Sequence, residues 1–135
     1  MLSKKTKYGI KALSYLARQK NRAPVQIVTI SKSENISQKF LESILLTLKI
    51  HGFLGSKMGK GGGYYLLKDP EDVKMSSVMR ILEGPIAMLP CVSLNFYEKC
   101  RDCPDEEACR VRDMMVEVRD STLSIFNNRS LADLI

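Results

Sequence analysis

The sequence predicts a mainly α protein with one small β-hairpin and a long helix near its C-terminus. Three observations support this fold class. Apolar residues recur at helical spacing through most of the chain, a glycine-rich segment separates two short apolar runs, and a long apolar seam follows residue 105. At 135 residues the chain is long enough to bury a single core without disulfides.

Three helical patterns occupy the first third of the chain. The first runs from Thr6 to about Gln19. After a loop, Thr29 is the expected N-cap of a second helix of about two turns, which ends near Asn35. Ser37 is a good N-cap for a third helix, which Gly52 ends.

The third helix is predicted to be amphipathic. Its apolar stripe consists of Phe40, Leu41, Ile44, Leu45 and Leu48. Its opposite face is expected to carry hydrogen-bonding side chains without apolar interruption, namely Gln38, Lys39, Glu42, Ser43 and Thr47. Two helices joined by a tight turn, the second with a polar leading edge, are typical of a helix-turn-helix.

The segment after the third helix predicts a β-hairpin wing. Phe53-Leu54 and Tyr64 to Leu67 have the composition of short strands, and residues 55–63 between them are rich in glycine and lysine. A nucleotide phosphate loop is excluded. That motif has four residues between its first glycine and Gly-Lys, followed by Ser or Thr, whereas here three residues separate Gly55 from Gly59-Lys60 and Gly61 follows. Residues 1–84 are therefore interpreted as a winged helix-turn-helix domain, although a purely structural hairpin is the alternative for the wing.

The second half of the chain divides into three predicted parts. Ser76 is the expected N-cap of a helix closed by Gly84-Pro85, and residues 85–104 form an irregular cysteine-rich loop. Residues 105–135 are predicted as a dimerisation helix, from about Asp105 to Phe126, and a last turn capped by Ser130. The seam of the long helix consists of Ala108, Val111, Met115, Val118 and Ile125. Such a seam favours a homodimer, and packing against the chain's own first domain is the alternative.

Charge is divided unequally along the chain. Residues 1–68 hold 13 lysines and arginines against two acidic residues, a net charge of +11, whereas residues 69–135 hold 8 basic and 13 acidic residues, a net charge of −5. This asymmetry indicates a polyanion partner for the first half. No catalytic triad, paired-carboxylate motif or nucleotide loop is evident, so we expect no enzyme activity. We also expect a cytoplasmic protein without membrane contact, because no signal peptide or transmembrane segment is recognisable.

Four cysteines cluster with the spacing C-x8-C-x2-C-x5-C. They are Cys91, Cys100, Cys103 and Cys109. In a reducing compartment, clustered cysteines are more often metal ligands or redox sensors than structural bridges. Nearby basic residues are expected to help hold the thiols deprotonated. An iron-sulfur cluster, a structural zinc ion and a bare thiol-disulfide switch are all compatible with this pattern.

Several short motifs, in this order, resemble the Rrf2 family of bacterial winged helix-turn-helix transcription regulators, over nearly the whole chain. The motifs are Lys7-Tyr8-Gly9 with Ala12-Leu13, Ile36-Ser37 with Phe40-Leu41-Glu42, Gly61-Gly62-Gly63-Tyr64, and Ser130-Leu131-Ala132-Asp133-Leu134. The resemblance implies a homodimer on a palindromic promoter site in double-stranded DNA. Its recognition helices would enter successive major grooves and its wings the flanking minor grooves.

Residue roles at the DNA follow from this assignment. Gln38 is expected to pair with adenine and Glu42 to accept from a cytosine amino group, whereas the lysines supply phosphate contacts. The full set of expected DNA-binding residues is Lys4, Lys5, Lys7, Tyr8, Ser37, Gln38, Lys39, Glu42, Ser43, Lys57, Lys60, Gly61, Gly62 and Gly63. IscR-like members carry an arginine in the wing where this chain has Met58.

The resemblance also bears on the cysteines. Members that sense iron-sulfur status, oxidants or nitric oxide carry three cysteines in this segment, so this chain resembles a four-cysteine variant of the IscR/NsrR-like branch. A [2Fe-2S] or [4Fe-4S] cluster is therefore expected on the four cysteines, with zinc as the alternative. Arg112 stands where IscR has a histidine ligand, and Lys7 stands where NsrR has an aspartate. We expect a dimeric, sequence-specific regulator that senses iron-sulfur, redox or nitric oxide status. The alternative is a constitutive regulator with structural zinc, or a thiol-based redox switch.

Overall fold

The computed structural model describes residues 2–135, which form five α-helices and one antiparallel two-stranded sheet. The helices are α1 (Lys4–Ala17), α2 (Ile27–Glu34), α3 (Gln38–Ile50), α4 (Met75–Leu82) and α5 (Arg110–Asn128). The strands are β1 (Leu54–Lys57) and β2 (Gly63–Leu66). Short 3-10 turns occur at Lys20–Arg22, Pro70–Asp72, Pro90–Val92 and Leu131–Leu134. The predicted mainly α winged helix-turn-helix with a long C-terminal helix is confirmed.

The caps of the first three helices match the prediction only in part. Ser37 caps α3 as predicted, because its side chain accepts the Phe40 N–H at 3.2 Å. Thr29, in contrast, lies inside α2, which begins two residues earlier without a side-chain cap. The early start lets Ile27 pack against the core beside the fully buried Ile30, and this packing outweighs the missing cap.

One hydrophobic core joins α1, α3, α4 and the hairpin. Its fully buried large side chains are Leu13, Leu16, Ile30, Leu41, Ile44, Leu45, Leu48, Leu54, Leu66, Val73, Val78 and Leu131. Helix α1 approaches α4 closely at Gly9, where an added Cβ would lie 2.4 Å from Leu82 Cδ1. Helix α4 starts at Met75 rather than after Ser76, which is buried within the helix.

The wing is longer on its first strand than the sequence predicts. Strand β1 extends through Lys57, which pairs with Gly63, so residues 55–57 belong to the ladder rather than to the loop. Leu54 pairs with Leu66 at the base of the hairpin, and both are buried. The base is also held by Val25, whose backbone exchanges two hydrogen bonds of 2.8 Å with Tyr64.

The C-terminal helix begins later than predicted and its last turn returns to the core. Helix α5 starts at Arg110 rather than Asp105, because Cys109 takes the N-cap position and its sulfur accepts the Arg112 N–H. Ser130 and Asp133 form a capping box on the last turn, as the Ser130 cap predicts. Leu131 is fully buried there and donates its N–H to Val73 O at 2.9 Å. Within residues 2–135, no helix is long and apolar enough to cross a membrane.

Candidate nucleic-acid interface and cysteine cavity

The outer face of α3 presents most of the predicted base-reading side chains to solvent. Gln38, Lys39, Glu42 and Ser43 are all exposed. The Ser43 hydroxyl donates to Phe40 O at 2.9 Å, which leaves its lone pairs able to accept. The Ser37 hydroxyl already serves as the cap of α3. The helix therefore offers an amide, a carboxylate and an ammonium group to a partner.

The same face carries two apolar side chains, contrary to the sequence prediction of an uninterrupted polar face. Leu46 is 50% exposed and Ile50 is 72% exposed. The sequence prediction considered only the apolar stripe that faces the core. These two residues lie outside that stripe.

The start of α1 carries basic residues and is joined to α3 through Tyr8. Lys4 and Lys7 are exposed and Lys5 is half-buried. Tyr8 packs edge-on against Phe40 in the first turn of α3, with ring centroids 5.7 Å apart and an interplanar angle of 78°. This contact joins the start of α1 to the start of α3. The structure thus gives Tyr8 a packing role beside the predicted DNA contact.

Glu83, which the sequence analysis did not single out, anchors the N-terminus of α1. Its carboxylate accepts the Ser3 hydroxyl at 2.7 Å, the Ser3 N–H, and the Thr6 hydroxyl. The Thr6 bond is the largest cause that lowers the pKa of Glu83. No local motif marks this residue, since its partners lie about 80 positions away in the chain.

The wing exposes both of its predicted lysines, Lys57 and Lys60. Met58 at the tip is 93% exposed. Gly61 is exposed with φ of 75°, a conformation that favours glycine. Gly62, which was also expected to contact DNA, is buried, and its N–H donates to Gly59 O within the turn.

The four cysteines, which are spread over a segment of 19 residues, line one cavity of about 530 Å³. All four are reduced, with Cys91 buried and the other three half-buried. Acidic side chains and Arg112 also line the cavity. Across residues 2–135, no three His, Cys, Asp or Glu side chains converge closely enough to hold a single metal ion.

The pKa values of two of the thiols are raised, in part by neighbouring thiols. A hydrogen bond to Cys91 is the largest cause that raises the pKa of the Cys100 thiol, and burial and Asp102 add to it. Burial is the largest cause that raises the pKa of the Cys103 thiol, with smaller contributions from neighbouring Cys109. The expectation that nearby basic residues hold these two thiols deprotonated is therefore wrong. Neighbouring thiols and carboxylates, Asp102 for Cys100 and Glu106 for Cys103, add to the rise of these pKa values.

Arg112 contributes a buried donor to this cavity. Its Nε atom is buried and has no hydrogen-bond partner among the described residues, and its backbone N–H donates to Cys109 Sγ at 3.4 Å. A buried donor without an acceptor costs about 1–3 kcal/mol. Across the loop, the Tyr97 hydroxyl donates to Glu106 at 2.6 Å and links the two segments that carry the cysteines.

Arg119 connects the cysteine segment to α5. Its Nη1 donates to Val92 O at 2.9 Å, directly after Cys91, and its side chain is largely buried. Elsewhere on α5, apolar side chains face solvent: Val111, Met114, Val118 and Ile125 are all exposed. Ala108, which was predicted in this seam, precedes the helix, and Met115 is half-buried.

Comparison with known proteins identifies relatives over nearly the full chain. The sequence model of the Rrf2 family, described as an iron-dependent transcriptional regulator, matches residues 2–135. An rrf2-like HTH-type protein of Rhodobacter capsulatus is 43% identical over 138 residues, which cover 100% of this chain and 92% of that protein. The HTH-type transcriptional regulator IscR of Serratia proteamaculans is 25% identical, with coverage of 99% and 78%.

Solved structures agree with this result. The structure of CymR, the global cysteine regulator of B. subtilis, is similar with a TM-score of 0.81 at 28% identity, covering 99% of this chain and 95% of that one. The structure of T. potens IscR is similar with a TM-score of 0.77 at 25% identity, covering 99% and 85%. The similarity extends over the helix-turn-helix, the wing and the C-terminal helix together.

Proposed function

Because this chain belongs to the Rrf2 family of DNA-binding transcriptional regulators, which are not enzymes, we propose that it acts as a homodimer whose affinity for a palindromic promoter changes with the state of the cysteine cavity. The observation that carries the regulatory part is that all four thiols line one cavity next to the start of α5.

DNA reading in this proposal is assigned to α3. Exposed Gln38 and Glu42 would contact base edges in the major groove, where amides pair with adenine and carboxylates accept from cytosine. Exposed Lys39, Lys57 and Lys60 would contact phosphates. Substitution of Lys39 by alanine should weaken binding to all sequences and reduce the salt slope by about one, whereas Gln38→Ala should change the preferred sequence.

Dimerisation is assigned to α5. Four exposed apolar side chains at spacings of three, four and seven residues form a stripe on this helix. The stripe is exposed to solvent in the single chain. A Val118→Glu variant should shift the dimer to a monomer in light scattering. The adjacent Glu117→Gln variant should stay dimeric, because Glu117 lies about 100° away around the helix.

An iron-sulfur cluster is the occupant that the cysteine cavity fits best. Zinc, which four cysteines also bind, is the alternative occupant. Two thiol pairs, Cys91 with Cys100 and Cys103 with Cys109, match the two cysteines that each iron of a [2Fe-2S] cluster takes. A bound cluster would supply one-electron redox chemistry and sensitivity to oxidants.

Arg112 is assigned a supporting role at the same cavity. A guanidinium cannot ligate a metal, but it donates strong hydrogen bonds to anionic acceptors. Its buried Nε, which has no acceptor among residues 2–135, would donate to sulfur in the occupied cavity. The protein would thereby offset the negative charge that four thiolates bring.

Coupling to the DNA is assigned to the connection between the cysteine segment and α5. The Arg119 bond holds the turn that carries Cys91 on this helix, and Cys109 caps the helix itself. A change in the cysteine site would therefore act on both the start and the middle of α5. If α5 forms the dimer contact, the spacing of the two recognition helices would change with it.

The test is anaerobic purification followed by visible spectroscopy, analysis of iron, sulfide and zinc, and DNA-binding measurements on a site selected from random duplexes. We expect coloured protein with equal iron and sulfide, and a change in affinity when the cluster is lost. Cys100→Ser should abolish or alter the colour, whereas the exposed neighbour Lys99→Ala should retain it. Colourless protein with stoichiometric zinc and unchanged binding would instead support the constitutive regulator with structural zinc. Metal-free protein whose affinity follows reversible disulfide formation would support the thiol switch.

A further inference from the structure

Helix α3 carries an apolar patch in the middle of its outer face. Its other leucines and Ile44 are completely buried, whereas Leu46 is 50% exposed and Ile50 is 72% exposed. At 100° per residue, Leu46 lies about 20° around the helix from Lys39 and about 40° from Glu42. The patch is therefore central to the surface to which DNA reading is assigned.

A protein partner is a poor occupant for this patch. Single exposed apolar residues are common, and two side chains on one helix offer far less area than the roughly 1,000 Å² that a specific protein interface buries. Exposed Lys39 and Lys49 border the patch on the same outer face. The whole of residues 1–68 carries a net charge of +11. These surroundings match the charge of DNA.

The major groove presents one apolar group to a protein, the 5-methyl group of thymine. We propose that Leu46 packs against a thymine methyl in each half-site, with Ile50 extending the contact by one helical turn. The proposal rests on the proposed function, namely on entry of α3 into the major groove. It adds a reading of thymine to the polar reading of adenine and cytosine.

Deoxyuridine provides a direct test, because it lacks only the methyl group of thymine. Each thymine in the selected site is replaced in turn by deoxyuridine, and affinity is measured by fluorescence anisotropy at fixed salt. For the unmodified protein we expect one thymine per half-site whose replacement weakens binding about fourfold, as burial of one methyl group predicts. Leu46→Ala should bind the thymine duplex more weakly and should no longer distinguish thymine from deoxyuridine at that position.

Lys49→Ala is the matched control on the same face. It should weaken binding to both duplexes equally and keep the fourfold discrimination, because a phosphate contact does not depend on the methyl group. The deoxyuridine series uses the unmodified protein, so the outcome does not depend on whether a variant folds.

Three results would overturn the inference, and they separate it from the proposed function. Sequence-specific binding that depends on Gln38 but is insensitive to every thymine methyl would refute the role of Leu46 alone. Binding that is indifferent to both Gln38 and the methyl groups would refute the recognition face as a whole. A Leu46→Ala variant that changes the oligomeric state while methyl discrimination persists would assign the patch to a protein contact.

Discussion

Replacement of Gly63 by alanine tests how the wing is attached to the helical core. Gly63 opens β2 with φ of 136°, a conformation that side chains of L-residues rarely adopt. An added Cβ would lie 2.3 Å from both Val25 C and Val25 O and 2.7 Å from Gln26 N. All three are backbone atoms, so the clash can be relieved only by moving the hairpin away from the strand-like segment at Val25.

The expected cost follows from these contacts. Backbone strain at positive φ costs about 1–2 kcal/mol. Overpacking against backbone adds about 1–3 kcal/mol, partly through loss of the two 2.8 Å hydrogen bonds between Val25 and Tyr64. A total near 3 kcal/mol lowers Tm by about 10 °C in a chain of this size.

Gly61→Ala is the control within the same hairpin. Gly61 also has positive φ, 75°, but nothing lies within 4 Å of its added Cβ, so only the strain of about 1 kcal/mol applies. Both variants lose the same glycine freedom in the unfolded chain, and their difference therefore isolates the clash.

The assay is thermal denaturation by circular dichroism at one fixed protein concentration, since the Tm of a dimer depends on concentration. DNA affinity is measured on the same samples below Tm. Gly63→Ala should weaken binding more than Gly61→Ala, because only the former displaces the wing that carries Lys57 and Lys60. Equal Tm values for the two variants would refute the reasoning.

Three further predictions concern the N-terminal anchor, the wing tip and the link to α5. The pKa of Glu83 is lowered in the folded protein, so its stabilising effect is complete above the ordinary carboxyl pKa and is lost as pH falls through the folded value. The Tm difference between the unmodified protein and Glu83→Gln should thus be constant from about pH 7 to 5 and should shrink below about pH 4. A Tm difference of the same size at pH 3 would contradict this assignment. Met58→Arg should leave Tm unchanged, because Met58 is exposed. It should raise the affinity for DNA sites with A·T-rich flanks about three- to tenfold and steepen the salt dependence of binding by about one, as measured by anisotropy titrations at several salt concentrations. Arg119→Met should lower the free energy of unfolding by about 1.5–3 kcal/mol in urea titrations, through loss of the bond to Val92 O. If the cysteine cavity holds the proposed cluster, the same substitution should also reduce the difference in DNA affinity between cluster-loaded and cluster-free protein.

Local sequence patterns predicted the helix-turn-helix and the wing well. The apolar stripe of α3 and its Ser37 cap were both read correctly, because cap and stripe depend on residues within one or two turns. The glycine-rich wing was also recognised, although the strand boundary was missed. Extension of β1 to Lys57 depends on pairing with Gly63 across the hairpin, which composition does not report.

Local patterns predicted less about the cysteine region. The spacing of the four cysteines indicated a common site, but their placement around one cavity depends on how the loop folds against α5. Helix α5 begins at Arg110, later than predicted, because a cysteine sulfur rather than a residue typical of N-caps accepts a free N–H of the first turn, that of Arg112. The buried donor of Arg112 could not be anticipated either, since burial is a property of the assembled cavity.

The sequence by itself determined the fold class, the family, the division of charge and the set of thiols, because these follow from composition, periodicity and motif order. Tertiary structure alone decided which side chains are left facing solvent or a cavity. Arg112 reads as one more charged residue of α5 until its Nε is buried beside the cysteine cavity, and Glu83 reads as a helix-end acid until Ser3 and Thr6 reach it from the start of the chain. Such contacts join residues that are far apart in sequence, so no local pattern encodes them.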